Sequence, residues 1–346
     1  MDNSSSEKYS NLDGLRTAGA FFVLLMHVAA NGNYNLGNSI MTRIIANGGE
    51  FVKMFFILSA FGMSCGYYEK FKNGQISLNE FFIKRYRRVL PFFALLVLLD
   101  LAVSHENIGI FYEAFADLTL MFGFFPGNDI EVIGVGWTLG VIFAFYCLFP
   151  FFVFTIWTKR RAWFSMAVSL GIFVACHQYF LYNGSLARCN FIRWSCFFVA
   201  GGLIFLYRST IVLFICKRRT LSLVMVLFLT FAWLFAQSWL KVTWLRELIT
   251  LILFAAWIIY AISVKSRLLS NNVMKFGNKI SFEVYLCHML VYRVAEKLGI
   301  LHLSANELLS YFIATVFVIS GSIFFAYFGK KACSKVTSKI IRMVNA

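Results

Sequence analysis

Proline occupies only 3 of 346 positions, and Asp, Glu, Lys and Arg together make up only 14% of the chain, where a soluble domain carries about 25%. So little charge argues against a water-facing globule. So little proline argues against extended linkers, collagen-like repeats and disordered arms. No long polar stretch separates the apolar runs, so the length does not divide into soluble domains. The eight cysteines show neither a CxxC pair nor the Cys/His spacing of a zinc site. Six of them (Cys65, Cys147, Cys176, Cys196, Cys216 and Cys287) lie in apolar stretches, where a thiol serves as a small hydrophobe. Neither metal nor disulfide chemistry is expected.

What the chain has in abundance is hydrophobic residues, 60% of the total, with 41 phenylalanines and a mean hydropathy of +0.73. The apolar runs cover about 14–30, 50–67, 89–104, 132–157, 162–182, 191–207, 220–240, 246–263, 280–297 and 308–329. Several fall slightly short of the ~20 residues that a bilayer core requires. The expected fold is all-α: a polytopic integral membrane bundle of about ten transmembrane helices, forming a single domain over residues 1–346. A short N-terminal tail (1–13) and a basic C-terminal tail (330–346) flank it.

A net charge of +16 would suggest nucleic acid in a soluble protein, but the positions decide otherwise. Of the 32 Lys and Arg, 22 fall in one set of alternating connections and the C-terminal tail, and six in the other set. That is the positive-inside pattern, which places both termini in the cytoplasm. The connection from His105 to Glu131, with five acids and no Lys or Arg, then lies on the far side. No nucleic-acid partner is expected, and the partners are membrane lipid and whatever the site accepts. Residues 108–127 read as a re-entrant or interfacial helix that leaves this parity unchanged. A signal peptide over 8–30 is disfavoured, because Arg16 and His27 interrupt the run and no small-x-small cleavage pattern follows. The sequon Asn183-Gly184-Ser185 falls in an outer loop and says little about compartment. A plasma-type cell membrane is the expected location.

Ionisable residues inside spans are costly and mark sites or pathways. The first helix carries two, Arg16 and His27. Eleven steps of ~1.5 Å put them roughly 16 Å apart along the axis, and eleven steps of ~100° return to nearly the same face. Taken alone, Arg16 reads as a snorkelling interfacial residue and His27 as an interhelical hydrogen-bond partner.

Their surroundings point further. Asn11-Leu12-Asp13-Gly14-Leu15-Arg16, followed by an apolar run ending Leu25-Met26-His27, resembles the opening of the acyltransferase family 3 membrane proteins, whose signature is Arg or Lys, ten residues, then His. Phe55-Phe56-Ile57-Leu58-Ser59-Ala60-Phe61 resembles that family's FFxLSGF segment, with Ala60 where Gly is usual. Phe81-Phe82-Ile83-Lys84-Arg85-Tyr86-Arg87-Arg88-Val89-Leu90-Pro91 resembles its basic FxxRRxxRxxP element. Trp137-Thr138-Leu139 with Phe145-Tyr146 and Pro150 resembles WxL…FY…P, and Ser281-Phe282-Glu283-Val284-Tyr285-Leu286-Cys287-His288 resembles SxxxYLxH. Each pattern is weak alone, and the five in order are specific. One position departs: five residues after Trp137, where many members carry Glu, stands Ile142.

The resemblance implies a membrane O-acyltransferase that takes an acyl group, most often acetyl, from cytoplasmic acyl-CoA. The acceptor is a hydroxyl of a cell-envelope carbohydrate or glycolipid. Arg16, Arg85 and Arg88 would hold the phosphates of acetyl-CoA or another acyl-CoA, while Arg87 reads as a positive-inside anchor. His27 would act as general base, or form an acyl-histidine. Trp137 or the Ser59 hydroxyl would face the oxyanion. Glu50 is the candidate substitute for the missing Glu, or else a helix-start acid paired with Lys53. Asp13 would orient Arg16, or cap the first helix. Tyr285, His288 and Arg293 read equally as interhelical glue, and Asp100 and His177 are placed towards the acceptor mouth without a role. The rival is a proton-coupled carrier of a small solute, against which stands the lack of internal repeats.

The charge asymmetry predicts that a fluorescent protein fused after Ala346 folds in the cytoplasm, while a reporter inserted in the segment between His105 and Glu131 is active only on the opposite side. A cytoplasmic signal from that insertion would refute the orientation.

Overall fold

The computed structural model describes residues 9–37, 39–103, 109–124, 133–180 and 188–344. The sequon and part of the acidic far-side segment lie outside these residues. Among the described residues the fold is all-α, without strands. Twelve α-helices follow in order: α1 (Asn11–Asn31), α2 (Ile40–Ala46), α3 (Phe51–Lys72), α4 (Leu78–Val103), α5 (Gly109–Thr119), α6 (Trp137–Thr155), α7 (Lys159–Ala175), α8 (Phe191–Cys216), α9 (Arg219–Trp239), α10 (Thr243–Ser263), α11 (Asn272–Lys297) and α12 (Glu307–Val344).

Ten of these are the long helices expected from the apolar runs. Eight are long and apolar enough to cross a membrane. The two others, α4 and α11, have three or more ionisable Asp, Glu, Lys or Arg residues in every 18-residue window. Both also start well before their apolar runs, at Leu78 and Asn272, and α12 runs on to Val344 through the basic tail. Helices propagate one bond per residue once nucleated, and polar flanks with good helix formers extend them past the bilayer edge. The re-entrant expectation over 108–127 meets the short α5 and a 3-10 turn at Phe122–Phe124.

Side-chain caps set several starts: Ser39 before α2, Thr158 before α7, Asn190 before α8 and Asn271 before α11 each accept a backbone N–H from the first turn. Helix α1 begins at Asn11, so Asp13 lies in its first turn rather than at the cap. Asn11 is buried. Its side chain donates to the carbonyl of Ala261 at 3.1 Å and to that of Val264, tying the start of α1 to the end of α10.

Helix α1 packs against α3, α10, α11 and α12, α3 against α8, and α8 against α7 and α10. Burial follows this order: 61% of the apolar window that includes α3 is buried but only 22% of that of α9, so α9 belongs to the lipid-facing rim. Helices α3 and α8 approach closely at Gly201. A Cβ at Gly201 would meet the carbonyl of Ile57 and lie 2.8 Å from Ala60 Cβ and 3.0 Å from the Phe61 amide. Small residues let helix backbones meet in this way where lipid offers no hydrophobic drive.

Gly201→Leu must push α8 off α3. The expected loss is roughly 1–3 kcal/mol, read as a clearly lower thermal midpoint in detergent and less monodisperse protein. An unchanged midpoint would show that the two helices have slack.

Candidate functional site

At the far-side end of α1 a cavity of about 340 Å³ lies between α1, α4, α11 and the start of α6. His27, Asp100, Trp137, Arg188, Tyr285 and Arg293 line it. Two expected site residues, His27 on α1 and Trp137 at the first position of α6, thus meet in one cavity. The charges are partnered: Arg293 donates to Asp100 at 2.8 Å, and the Arg188 guanidinium lies 4.9 Å over the Trp137 ring. Tyr285 Oη donates to the carbonyl of Val135 at 2.9 Å and accepts from Thr138 Oγ1 at 2.9 Å. This pair of bonds fixes α11 against the turn that presents Trp137. Behind His27 lies the fully buried His288, the two ring centres 5.2 Å apart and the planes inclined at 42°.

At the opposite end of α1, Arg16 lies 3.7 Å from Asp13. Asp13 in turn accepts from Asn278 Nδ2 of α11 at 2.7 Å. The carboxylate therefore both orients the guanidinium and joins α1 to α11. Arg85 turns inwards to the stretch of α3 beside Arg16: it donates to Tyr67 Oη at 2.7 Å and lies against Met63 Sδ at 3.4 Å, and its guanidinium is 5.8 Å from the Tyr146 ring. Two of the basic residues expected to hold phosphates, Arg16 and Arg85, thus lie together, while Arg88, like Arg87, is exposed. A Cβ at Gly62 would stand 3.5 Å from Arg16 Nη2, and one at Gly66 would meet nothing within 4 Å, so α3 leaves room beside the guanidinium.

Between the two ends stands Phe55 of α3. Its ring lies 6.0 Å from that of Tyr285, and its tip lies 3.1 Å from where a Cβ would sit on Gly19 of α1. Ser59, one turn further along α3, is half-buried and does not line the far-side cavity.

Glu50 takes a different place. Its neighbour Gly49 lines the cavity, but its own carboxylate pairs with Lys53, which also pairs with Glu247 of α10. Lys53 is 4% exposed and its ammonium lies 5.5 Å from the Trp194 ring. A buried ammonium requires such partners. His177, in a single π-turn after α7, is buried with Nδ1 2.9 Å from the carbonyl of Phe173, away from the cavity. Ile142 is half-buried among apolar neighbours.

The sequence offered Tyr285 and Arg293 as interhelical glue, put Asp100 towards the acceptor mouth and said nothing of Arg188, and all four form much of the cavity wall. The signal was present for one pair: Asp100 and Arg293 are opposite charges in two spans, at matching far-side heights. Arg188 carried none, being one basic residue in an outer loop.

Among the described residues no group of three His, Cys, Asp or Glu could hold a metal ion, and all eight cysteines are free thiols. The family whose model is described as "Acyltransferase domain" (Acyl_transf_3) matches residues 9–327. The chain belongs to this family, acyltransferase family 3, and is a multi-pass membrane acyltransferase. No curated protein and no solved structure matches it.

The Lys53 cluster separates a structural from a chemical role for Glu50. Lys53→Met leaves two half-buried carboxylates without their shared cation, with an expected loss of roughly 3 kcal/mol, the low end for a broken buried pair. Glu50→Gln, which keeps Lys53 on Glu247, should cost much less and leave the acyl-transfer rate per folded molecule within about twofold. A large rate loss in Glu50→Gln at undiminished stability would move Glu50 into the chemistry.

Proposed function

We propose that this member of acyltransferase family 3 moves an acyl group, acetyl foremost, from cytoplasmic acyl-CoA to a hydroxyl of a cell-envelope carbohydrate or glycolipid. The observation that carries the reading is that one continuous helix, α1, has Arg16 beside the same stretch of α3 as Arg85 at one end and His27 in a cavity at the other.

Arg16, Arg85 and Arg88 offer guanidinium forks that suit the phosphates of CoA. The room beside Gly62 and Gly66 gives the nucleotide space to seat. The pantetheine arm then runs along α1, past Phe55, over the roughly 16 Å between Arg16 and His27. At the far side the acceptor hydroxyl gives its proton to a His27 ring nitrogen. Its oxygen attacks the thioester carbonyl carbon, the carbon–sulfur bond breaks, and the thiolate leaves with the proton that His27 returns. The ester and free CoA are the products. With no acidic residue at position 142 and Asp100 held by Arg293, His27 is the base for this transfer. Trp137, beside it, is the candidate donor to the developing oxyanion. Ser59, on the Arg16 side, is assigned to the donor channel.

Mass spectrometry of cell-envelope glycans and glycolipids tests this. An acyl-sized mass gain is expected with the wild type and not with His27→Ala at equal protein level. Arg16→Ala should raise the KM for acyl-CoA by about tenfold or more, with a smaller change in kcat. Identical glycan profiles in an acceptor-competent host, together with solute counterflow in vesicles, would replace the enzyme by a proton-coupled carrier.

A further inference from the structure

Among the described residues the only acid lining the His27 cavity is Asp100, and that is bonded to Arg293. Arg188 and Arg293 bring positive charge to the same wall, Tyr285 brings a hydroxyl already bonded to Val135 and Thr138, and α11 brings His288. Of these groups only His288 has a vacant hydrogen-bonding position that is also buried. Its Nδ1 lies 2.7 Å from the carbonyl oxygen of Tyr285. A carbonyl only accepts, so Nδ1 carries the proton, and in a neutral imidazole Nε2 is then a bare lone pair. That nitrogen is buried and has no hydrogen-bond partner. An unmet acceptor in such a place is costly and rarely idle.

The separation of the two rings is the right one. The ring centres are 5.2 Å apart and the planes inclined at 42°, a spacing at which a nitrogen of one ring can come within hydrogen-bond length of a nitrogen of the other. Forming that bond requires the His27 ring to turn, because His288 Nε2 has no partner as the rings stand.

We infer that His288 is a positioning residue for His27: its Nε2 accepts the N–H of one His27 nitrogen and so leaves the other bare and turned into the cavity. This rests on His27 being the base. The chain of support runs from the Tyr285 carbonyl to His288 Nδ1–H, from His288 Nε2 to His27 N–H, and from the bare His27 nitrogen to the acceptor hydroxyl. His288 neither gains nor loses a proton during transfer. It fixes the tautomer and stabilises the His27 imidazolium through a charge-assisted hydrogen bond, the part that a carboxylate plays beside many catalytic histidines, without adding a buried negative charge.

Two substitutions separate this from a packing role. His288→Asn keeps an amide N–H for the Tyr285 carbonyl but puts no atom where Nε2 was. His288→Gln reaches that place with a carbonyl oxygen. The full-length protein in lipid nanodiscs, labelled with 15N only in histidine, reports the His27 tautomer without any acceptor present, and an acyl-transfer assay reports the rate. The expected result is a single His27 tautomer in the wild type and in His288→Gln. In His288→Asn a tautomer mixture and a lower His27 titration midpoint are expected. The expected kcat falls roughly 10- to 100-fold in His288→Asn with the acyl-CoA KM within twofold, its pH limb moves to lower pH, and His288→Gln recovers most of the rate. Equal losses in both variants with an unchanged His27 spectrum would overturn the proposal and leave His288 as packing. A changed His27 tautomer in His288→Asn, in a protein whose His27→Ala variant still transfers acyl groups, would retain the contact and reject His27 as base.

Discussion

A charge inside an apolar bundle must be met by another group, because neither lipid nor packed hydrocarbon solvates it. Much of this protein's architecture follows from how its few interior charges are met. Lys53 is neutralised by Glu50 and Glu247 and holds α3 to α10. Glu283 is neutralised by Lys330 at 2.8 Å and holds α11 to α12. Arg293 and Asp100 hold α11 to α4. Beside these pairs, α1 carries the Arg16 guanidinium at one end and at the other the His27 imidazole, which faces a second imidazole, His288.

The length of one helix links those ends. Because α1 is continuous from Asn11 to Asn31, the Arg16 to His27 separation is fixed by helical rise and cannot drift with the loops. The surrounding helices then set only what lines the way. Phe55 from α3 and Tyr285 from α11 meet edge to face between the two ends, at 74°. The Phe55 ring reaches α1 at Gly19 because that position carries no side chain.

The fold was legible in the sequence because span length and positive-inside bias are long-range averages that single residues do not upset. Helix ends were less legible. The apolar runs stop where the bilayer stops, but hydrogen bonding does not, so α4, α11 and α12 extend through basic flanks. Within the site, Arg16, His27 and Trp137 could be found because they lie on one helix or next to a recognisable motif. The partnership of His27 with His288 joins residues 261 positions apart on different helices, and no periodicity encodes it. Nor did the sequence distinguish the two readings of Glu50, since acid-then-lysine at three residues suits a site and an ion pair equally. Glu247, the second carboxylate on Lys53, comes from α10.

Position 142 lies apart from the His27 cavity: Ile142 is half-buried among apolar core neighbours and does not line the wall. An acid there would meet hydrocarbon rather than the guanidiniums of the cavity, a cost that isoleucine does not incur. Among the described residues the charged side chains of the wall besides His27 are Asp100, Arg188 and Arg293, and Asp100 is bonded to Arg293, so the balance at the His27 end of α1 is cationic.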